Sequence, residues 1–281
     1  MKRSVQFKQN HVLSTIGQYG YVTRALLEHL LPYSAYQLAR WLTSLQKLDY
    51  IAARAFSPES KSYGGSRPNA YSLLPAGLRQ LNAAGMQTRY IAVFKRNDQL
   101  QHDVRVAEVH ASFAGLQNHY SGIALETWLL DHSRFHLSFI SDERNIQLTP
   151  DGVAIFRNSR GQRFCYLLEY DRGTVHLDEL FRRIDNYLLF FRHIKHTQIS
   201  KWQSVTDFRV IFVVEDRPER SRKQYANLLQ YALTLNQNRG SKLFWFTAAE
   251  NIDYQNPARL FDPIFEVAIR GSHIKPRPLF Y

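Results

Sequence analysis

Hydrophobic residues in the first fifty positions recur at the spacing of short amphipathic helices. Residues 12–19 and 26–30 each place apolar side chains on one helical face. A third helix is predicted to begin at Ser34, whose hydroxyl can cap the helix while Gln37, three positions on, closes a capping box. The apolar stripe of this third helix consists of Leu38, Trp41, Leu42, Leu45 and Leu48.

A β-hairpin is predicted directly after these helices. Strand-forming runs cover residues 50–56 and 69–74, and they enclose a loop that is rich in glycine and serine. Three helices followed by a hairpin is the order of a winged helix-turn-helix domain, which we predict for residues 1–86. The polar residues 87–101 predict a linker to a second domain.

The polar face of the third helix suits a recognition helix in the major groove. Its side chains are hydrogen-bond donors or cations that can reach base edges and phosphates. The predicted DNA-binding residues are Gln37, Arg40, Thr43, Ser44 and Lys47 on the helix, with Lys61 and Arg67 in the hairpin loop. The same pattern also fits an ordinary solvated helix face, and some winged helices mediate only protein contacts.

The remaining chain, residues 102–281, alternates helical and strand patterns and predicts an α/β (α+β) domain. A helix from His102 to about Gln117 comes first, and a strand at 148–156 and a strand at 163–170 form a predicted hairpin. The elements that follow are a long helix after Thr174, a strand at 208–214, a helix at 219–235 and a strand at 242–247.

Three carboxylates are predicted to meet at one end of this hairpin. If its turn is centred at position 160, facing residues have numbers that add to 320, which places Asp151 across from Glu169. Asp171, two residues past Glu169, projects from the same face. Carboxylates this close repel one another, and Mg²⁺ or Mn²⁺ would relieve the repulsion and could activate a phosphodiester. Taken singly, each residue also fits a turn or a loop ion pair.

A cation follows on the long helix. Arg183 and Tyr187 are four residues apart and share one helix face. The arginine could stabilise charge that develops on a scissile phosphate, bind phosphate without catalysis, or be solvated.

Composition narrows the class of partner. The chain has 36 Lys and Arg against 24 Asp and Glu, a formal charge of +12, which favours nucleic acid first and an anionic membrane second. No run of about 18 apolar residues is present, so we expect a cytoplasmic protein without membrane insertion. The single cysteine, Cys165, excludes an internal disulfide and a Cys-based zinc site.

Two motifs around the carboxylates resemble those of a known family. They are TPDG at 149–152 and LEYDRGT at 168–174, followed by Arg183 and Tyr187. This pattern resembles the replication-relaxation family, which includes the MOBC class of conjugative relaxases, over about residues 10–250. The resemblance implies that a winged helix precedes a restriction-endonuclease-like, mixed-sheet domain similar to PD-(D/E)XK nucleases, here residues 102–281.

The resemblance also implies roles for single residues. Asp151 and Glu169 would be the metal ligands, with His102 as a candidate for a further one. Asp171 stands where the nuclease pattern has lysine, and relatives place their lysine where this chain has Arg183. Arginine does not give up its proton, so phosphate stabilisation is expected of Arg183 rather than general-base chemistry.

A function follows from the same resemblance: recognition of the transfer origin of a plasmid or integrative element and nicking of one strand. The expected partners are the double-stranded origin, the nicked single strand, and relaxosome accessory or coupling proteins. A relaxase that retains the cut strand needs a nucleophile for the 5′ phosphate, and the candidates are Tyr187 and Tyr19.

Two other functions remain open. The missing Glu-x-Lys lysine is compatible with a catalytically inactive DNA-binding regulator or replication initiator that keeps a nuclease-like fold. A double-strand endonuclease of restriction or transposition type is the other alternative.

Overall fold

The chain forms two compact units, residues 1–111 and 112–281, in a computed structural model. The structure describes residues 2–55, 68–86, 97–130, 137–141, 144–197, 204–215, 220–239, 242–269 and 273–280.

The first unit contains the predicted three helices and the predicted hairpin. Its elements are α1 (Lys2–Tyr19), β1 (Tyr21–Thr23), α2 (Arg24–Leu30), α3 (Ala35–Lys47), β2 (Ile51–Ala55), β3 (Asn69–Leu73), α4 (Pro75–Ala83) and most of α5 (Asn97–Gly115). The strands form one antiparallel sheet in the order β1-β3-β2. The short β1, which the sequence did not predict, therefore extends the hairpin to three strands.

Local signals account for α3. The Ser34 hydroxyl accepts the backbone N–H of Gln37, and the Gln37 side chain accepts the N–H of Ser34, which confirms the predicted capping box. Four of the five predicted stripe residues are buried. The fifth, Leu48, is 51% exposed, because the helix ends at Lys47 and Leu48 is its C-terminal cap.

Helix α5 begins at Asn97, five residues before the predicted start at His102, so it includes the end of the predicted linker. The boundary between the two compact units along the chain falls within this helix, between Ala111 and Ser112. Residues 87–96 of the predicted linker lie outside the described residues. The assignment of 1–86 and 102–281 to separate functions stays a prediction.

The second unit is built on a mixed seven-stranded sheet in the order β12-β11-β10-β9-β8-β7-β4. The neighbours β8–β9 and β9–β10 are parallel, and the other pairs are antiparallel. Its elements are β4 (Ile123–Leu130), β5 (Leu137–Ser141), β6 (Arg144–Leu148), β7 (Gly152–Asn158), β8 (Arg163–Asp171), α6 (Leu177–Thr197), β9 (Val205–Val214), α7 (Arg220–Arg239), β10 (Phe244–Ala248), β11 (Phe265–Ile269) and β12 (His273–Arg277). The strands β5 and β6 form a separate hairpin.

The predicted hairpin register is confirmed. Pairs from Gly152 with Leu168 to Arg157 with Arg163 all have residue numbers that add to 320. The turn is fixed by the Asn158 side chain, whose Oδ1 accepts two backbone N–H groups, and by Gly161, which has a positive φ of 76°. The predicted strand 148–156 was wrong in its extent, because β6 ends at Leu148 and β7 begins only at Gly152.

One face of the large sheet packs against α6 and α7. Alternate residues of the central strands, among them Leu167 and Phe212, pack with Ile184 of α6 and Leu228 of α7 in one core. Glu169 and Asp171 continue the same alternation on β8, so both carboxylates are directed toward the helices. No helix of the described residues is long and apolar enough to cross a membrane.

Candidate functional site

The buried carboxylate of Glu169 is held by two side chains of α6. Glu169 is 3% exposed. The Tyr187 hydroxyl donates to Oε1, and Arg183 Nη1 donates to Oε2 at 2.8 Å. A second guanidinium nitrogen of Arg183, Nη2, donates to Oε1 of Glu179 at 3.1 Å. Both oxygens of Glu169 therefore have partners on one helix face, as the spacing of Arg183 and Tyr187 allows.

Asp151 directly precedes β7, whose first residue, Gly152, pairs with Leu168 of β8. Its backbone N–H donates to the carbonyl of Leu168 at 2.8 Å, and its Oδ2 accepts the N–H of Tyr170 at 2.7 Å. The regular β7–β8 pairing ends at Gly152 and Leu168, and these two bonds hold Asp151 to β8 just beyond it. The half-buried Asp151 lies close enough to the buried Glu169 for its charge to raise the pKa of Glu169.

The electrostatics of Glu169 favour a positive neighbour. The pKa of Glu169 is raised to about 7; burial is the largest cause, the negative charge of Asp151 also raises it, and Arg183 and Tyr187 act in the opposite direction. Burial lowers the pKa of Arg183, but the charge of Glu169 and the bonds to Glu179 and Glu169 outweigh burial, so the guanidinium stays charged. The positive charge next to Glu169 in this structure is therefore the guanidinium of Arg183.

Asp171 does not join this pair, contrary to the expected convergence of three carboxylates. Its Oδ1 accepts the N–H of Gly173 at 2.9 Å, and its Oδ2 accepts Nε2 of Gln224 on α7 at 2.7 Å. Burial raises the pKa of Asp171, against the effect of its backbone hydrogen bonds. Glu169 and Asp171 share a sheet face but turn to different helices. Within the described parts of the chain, no three His, Cys, Asp or Glu side chains could hold a metal ion together.

A polar cleft opens beside Glu169. Its volume is about 760 Å³, and the β5–β6 hairpin and α6 form its walls. The lining side chains include Glu169, Glu179, Arg182, Arg183, Asn186 and Thr149. The cleft therefore joins a buried carboxylate to two arginines, which can bind a phosphate.

The exposed face of α3 carries the residues that the sequence predicted for DNA contact. Arg40 and Lys47 are exposed. Part of the hydrogen-bonding capacity of the others is already used: Gln37 in the capping box, Thr43 on the carbonyl of Ala39, and Ser44 as acceptor from Gln9. Lys61 and Arg67 lie outside the described residues, so their predicted contacts stay predictions.

A family model described as replication-relaxation matches residues 13–205 of the 281. The chain belongs to the replication-relaxation family. The match includes α3 and also the strands and helix that carry Asp151, Glu169 and Arg183. Family membership indicates a role in replication or mobilisation of DNA. No curated protein and no solved structure matches the chain.

In this replication-relaxation protein the two tyrosines proposed as nucleophiles are both buried. Tyr187 is 1% exposed, and burial together with the charge of Glu169 holds its pKa well above the usual range. Tyr19, in the first unit, is 6% exposed and stacks on His110 at 4.1 Å, and burial raises its pKa to about 12. A nucleophilic role for either residue stays a prediction, and neither is a ready phenolate.

His102 belongs to the first unit, where its Nδ1 lies 3.5 Å from the carboxylate of its neighbour Asp103. A role for His102 as a metal ligand stays a prediction.

Three residues of the site were not predicted. Glu179 precedes Arg183 by four positions, which is a sequence signal for a helix ion pair. Arg182 lines the cleft next to Arg183, and the sequence indicated no role for it. Gln224 is 53 residues from Asp171, and nothing in the local sequence indicates that contact.

Proposed function

We propose that this protein binds DNA through its first unit and nicks one strand at the transfer origin of a plasmid or integrative element, with the help of a divalent metal ion. Membership of the replication-relaxation family and the formal charge of +12 support a DNA substrate. The observation that carries the nicking proposal is that Asp151 lies close to the buried Glu169, which lines a cleft together with two arginines.

In this proposal the first unit is a winged helix. Its three helices, followed by a hairpin that pairs with the short β1, support the assignment. α3 would enter the major groove, with the exposed Arg40 and Lys47 on phosphates or guanine edges.

The second unit would be a nuclease-like domain in which two carboxylates, and not three, bind the metal ion. Asp151 and Glu169 would hold the ion, because their charges repel and Glu169 already attracts one cation, the guanidinium of Arg183. Asp171 is engaged elsewhere. A bound Mg²⁺ or Mn²⁺ would polarise the phosphodiester and activate the attacking oxygen.

The chain's own side chains would bind and orient the DNA. Arg182 and Arg183 line the cleft and would hold the scissile phosphate, and the charge of Arg183 persists at all working pH values. The Tyr187 hydroxyl keeps Glu169 in one orientation by donating to Oε1, so we assign it a positioning role.

The test is a cleavage assay on supercoiled plasmid that carries the candidate origin, with Mn²⁺ present. We expect open circles from the wild type and unchanged supercoils from Asp151→Asn and Glu169→Gln, while both variants keep duplex affinity. Glu250→Gln, which changes an exposed carboxylate of the same unit, is the matched control and should nick normally. Linear DNA would instead support a double-strand endonuclease. Unchanged supercoils with the wild type would support the inactive regulator.

A further inference from the structure

The second unit has another cavity, on the opposite face of the large sheet from Glu169. Its volume is about 610 Å³. Its floor comes from Phe164, Tyr166 and Trp245, which alternate with the residues that face α6 and α7. Phe164 is five residues from Glu169 along β8, or about 17 Å at 3.3 Å per residue. The cavity is therefore distinct from the cleft at Glu169 in both face and position.

One of the side chains that line this cavity is an exposed aromatic ring. Tyr120 is 52% exposed, although it is large and apolar. Its ring lies against Gly122, where a Cβ atom would come within 2.7 Å of Cε1 of the ring. Phe261 flanks it with ring centroids 5.6 Å apart and an angle of 59°. The tyrosine is thus held against backbone on one side and presents its surface to solvent.

Among the described residues, the charged side chains that line the cavity are Arg160, Arg209 and Asp207, which are two positive charges and one negative charge. Arg160 is exposed at the tip of the β7–β8 turn and lines the cavity. Arg209 pairs with Asp207 and lies over the Trp245 ring at 5.4 Å.

The walls of the cavity are fixed by hydrogen bonds. The Asn158 side chain accepts the N–H groups of Arg160 and Gln162, which sets the turn that carries Arg160. On the other side, the Tyr166 hydroxyl donates to the carbonyl of Leu279 at 2.9 Å. The backbone N–H of Leu279 donates in turn to the carbonyl of Leu260 at 2.9 Å. Little ordering of these walls would be needed when a ligand binds.

We propose that this cavity binds single-stranded DNA, with an unpaired base stacked on Tyr120 and a phosphate held by Arg160. Aromatic rings that alternate with arginines are the usual means of holding unpaired nucleotides, because every base has a π-face and every link a negative charge. A base within a duplex has both faces covered by its neighbours, so duplex DNA cannot use the platform. The proposal extends the proposed function by giving the separated strand a place of its own, but it does not depend on cleavage.

The test measures binding without any divalent metal. A fluorescent thymidine oligonucleotide of about 12 residues would be titrated with the full chain and followed by anisotropy. We expect Tyr120→Ala to weaken binding roughly tenfold, and Tyr120→Phe, which keeps the ring, to bind within about twofold of the wild type. Phe7→Ala, which removes a ring that is 66% exposed in the first unit, is the matched control and should bind as the wild type does.

The phosphate contact is tested through salt. Between about 50 and 200 mM salt, Arg160→Ala should make the slope of log K against log salt shallower by about 0.7, the value for one phosphate contact on a single strand. Lys275→Ala removes an exposed charge on β12, outside the cavity, and should leave the slope unchanged. A 5-iodouridine oligonucleotide should crosslink to Tyr120 or Phe261 on irradiation.

Three results would overturn the proposal: no binding of the single strand by the wild type, equal binding by Tyr120→Ala, or a crosslink only in the first unit. Each can occur while the plasmid is still nicked, and nicking can fail while the oligonucleotide binds. The experiments therefore test single-strand binding and nicking independently.

Discussion

Replacing Arg183 by glutamine tests whether Glu169 depends on a cation. The change removes the guanidinium at 2.8 Å from Oε2 and leaves a carboxylate that is 3% exposed beside Asp151. Breaking a fully buried pair by removing one partner costs about 3–5 kcal/mol. Arg183 is 34% exposed, so solvent screens part of the loss, and we expect about 2 kcal/mol at pH 8.

The cost should depend on pH. The folded-state pKa of Glu169 is raised from 4.5 to about 7, so its contribution to stability is fully present below 4.5 and is lost as the pH rises through about 7. Arg183 lowers the pKa of Glu169, so replacing Arg183 should raise that pKa and move the loss of stability to higher pH. The difference between variant and wild type should therefore be small at pH 5, where Glu169 is protonated in both proteins, and large at pH 8.

Thermal unfolding at the two pH values measures this difference. At about 2–4 °C per kcal/mol for a unit of this size, Tm should fall by roughly 4–8 °C at pH 8 and by much less at pH 5. Added Mn²⁺ should restore part of the loss at pH 8, since a bound ion would replace the missing charge. Arg182→Gln, an exposed neighbour on α6, is the control. An equal fall of Tm at both pH values would refute the reasoning.

Three further predictions concern helix α3 and the position of Asp171. Ser34→Ala removes the hydroxyl half of the capping box and should lower the free energy of unfolding by about 1 kcal/mol, measured by urea titration; an unchanged midpoint would contradict the capping role. Arg40→Ala combined with Lys47→Ala should weaken duplex binding and reduce its salt slope by about 1.8, or 0.9 for each phosphate contact, in anisotropy titrations. Gln224→Leu removes the amide that donates a hydrogen bond to Asp171 and should lower the free energy of unfolding by about 1–3 kcal/mol. Gln255→Leu, which changes an exposed glutamine, is the control and should lower it little.

The features that were predicted well depend on contacts between residues near in sequence. The capping box of α3 involves two residues three positions apart. The β7–β8 register follows from a turn of four residues, whose asparagine and glycine fix its geometry, and the ladder then continues residue by residue. Because these interactions are local, the sequence could predict the β7–β8 register, and with it that Asp151 lies near Glu169, before any tertiary contact was known.

The sheet order needed the folded chain. The parallel pairing of β8 with β9 and of β9 with β10 joins strands that are separated by whole helices, and no short-range pattern specifies those neighbours. The hairpins β5–β6 and β11–β12 were missed as well, and the first of them forms a wall of the cleft.

The sequence by itself determined that Glu169 and Asp171 leave the same face of β8, since alternation along a strand is a local property. Only the tertiary structure decided that the two carboxylates have different partners. Helix α6 brings Arg183 and Tyr187 to Glu169, and α7 brings Gln224 to Asp171. A buried carboxylate turns to whichever donors the packed helices present, and helix packing is set by side chains far away along the chain.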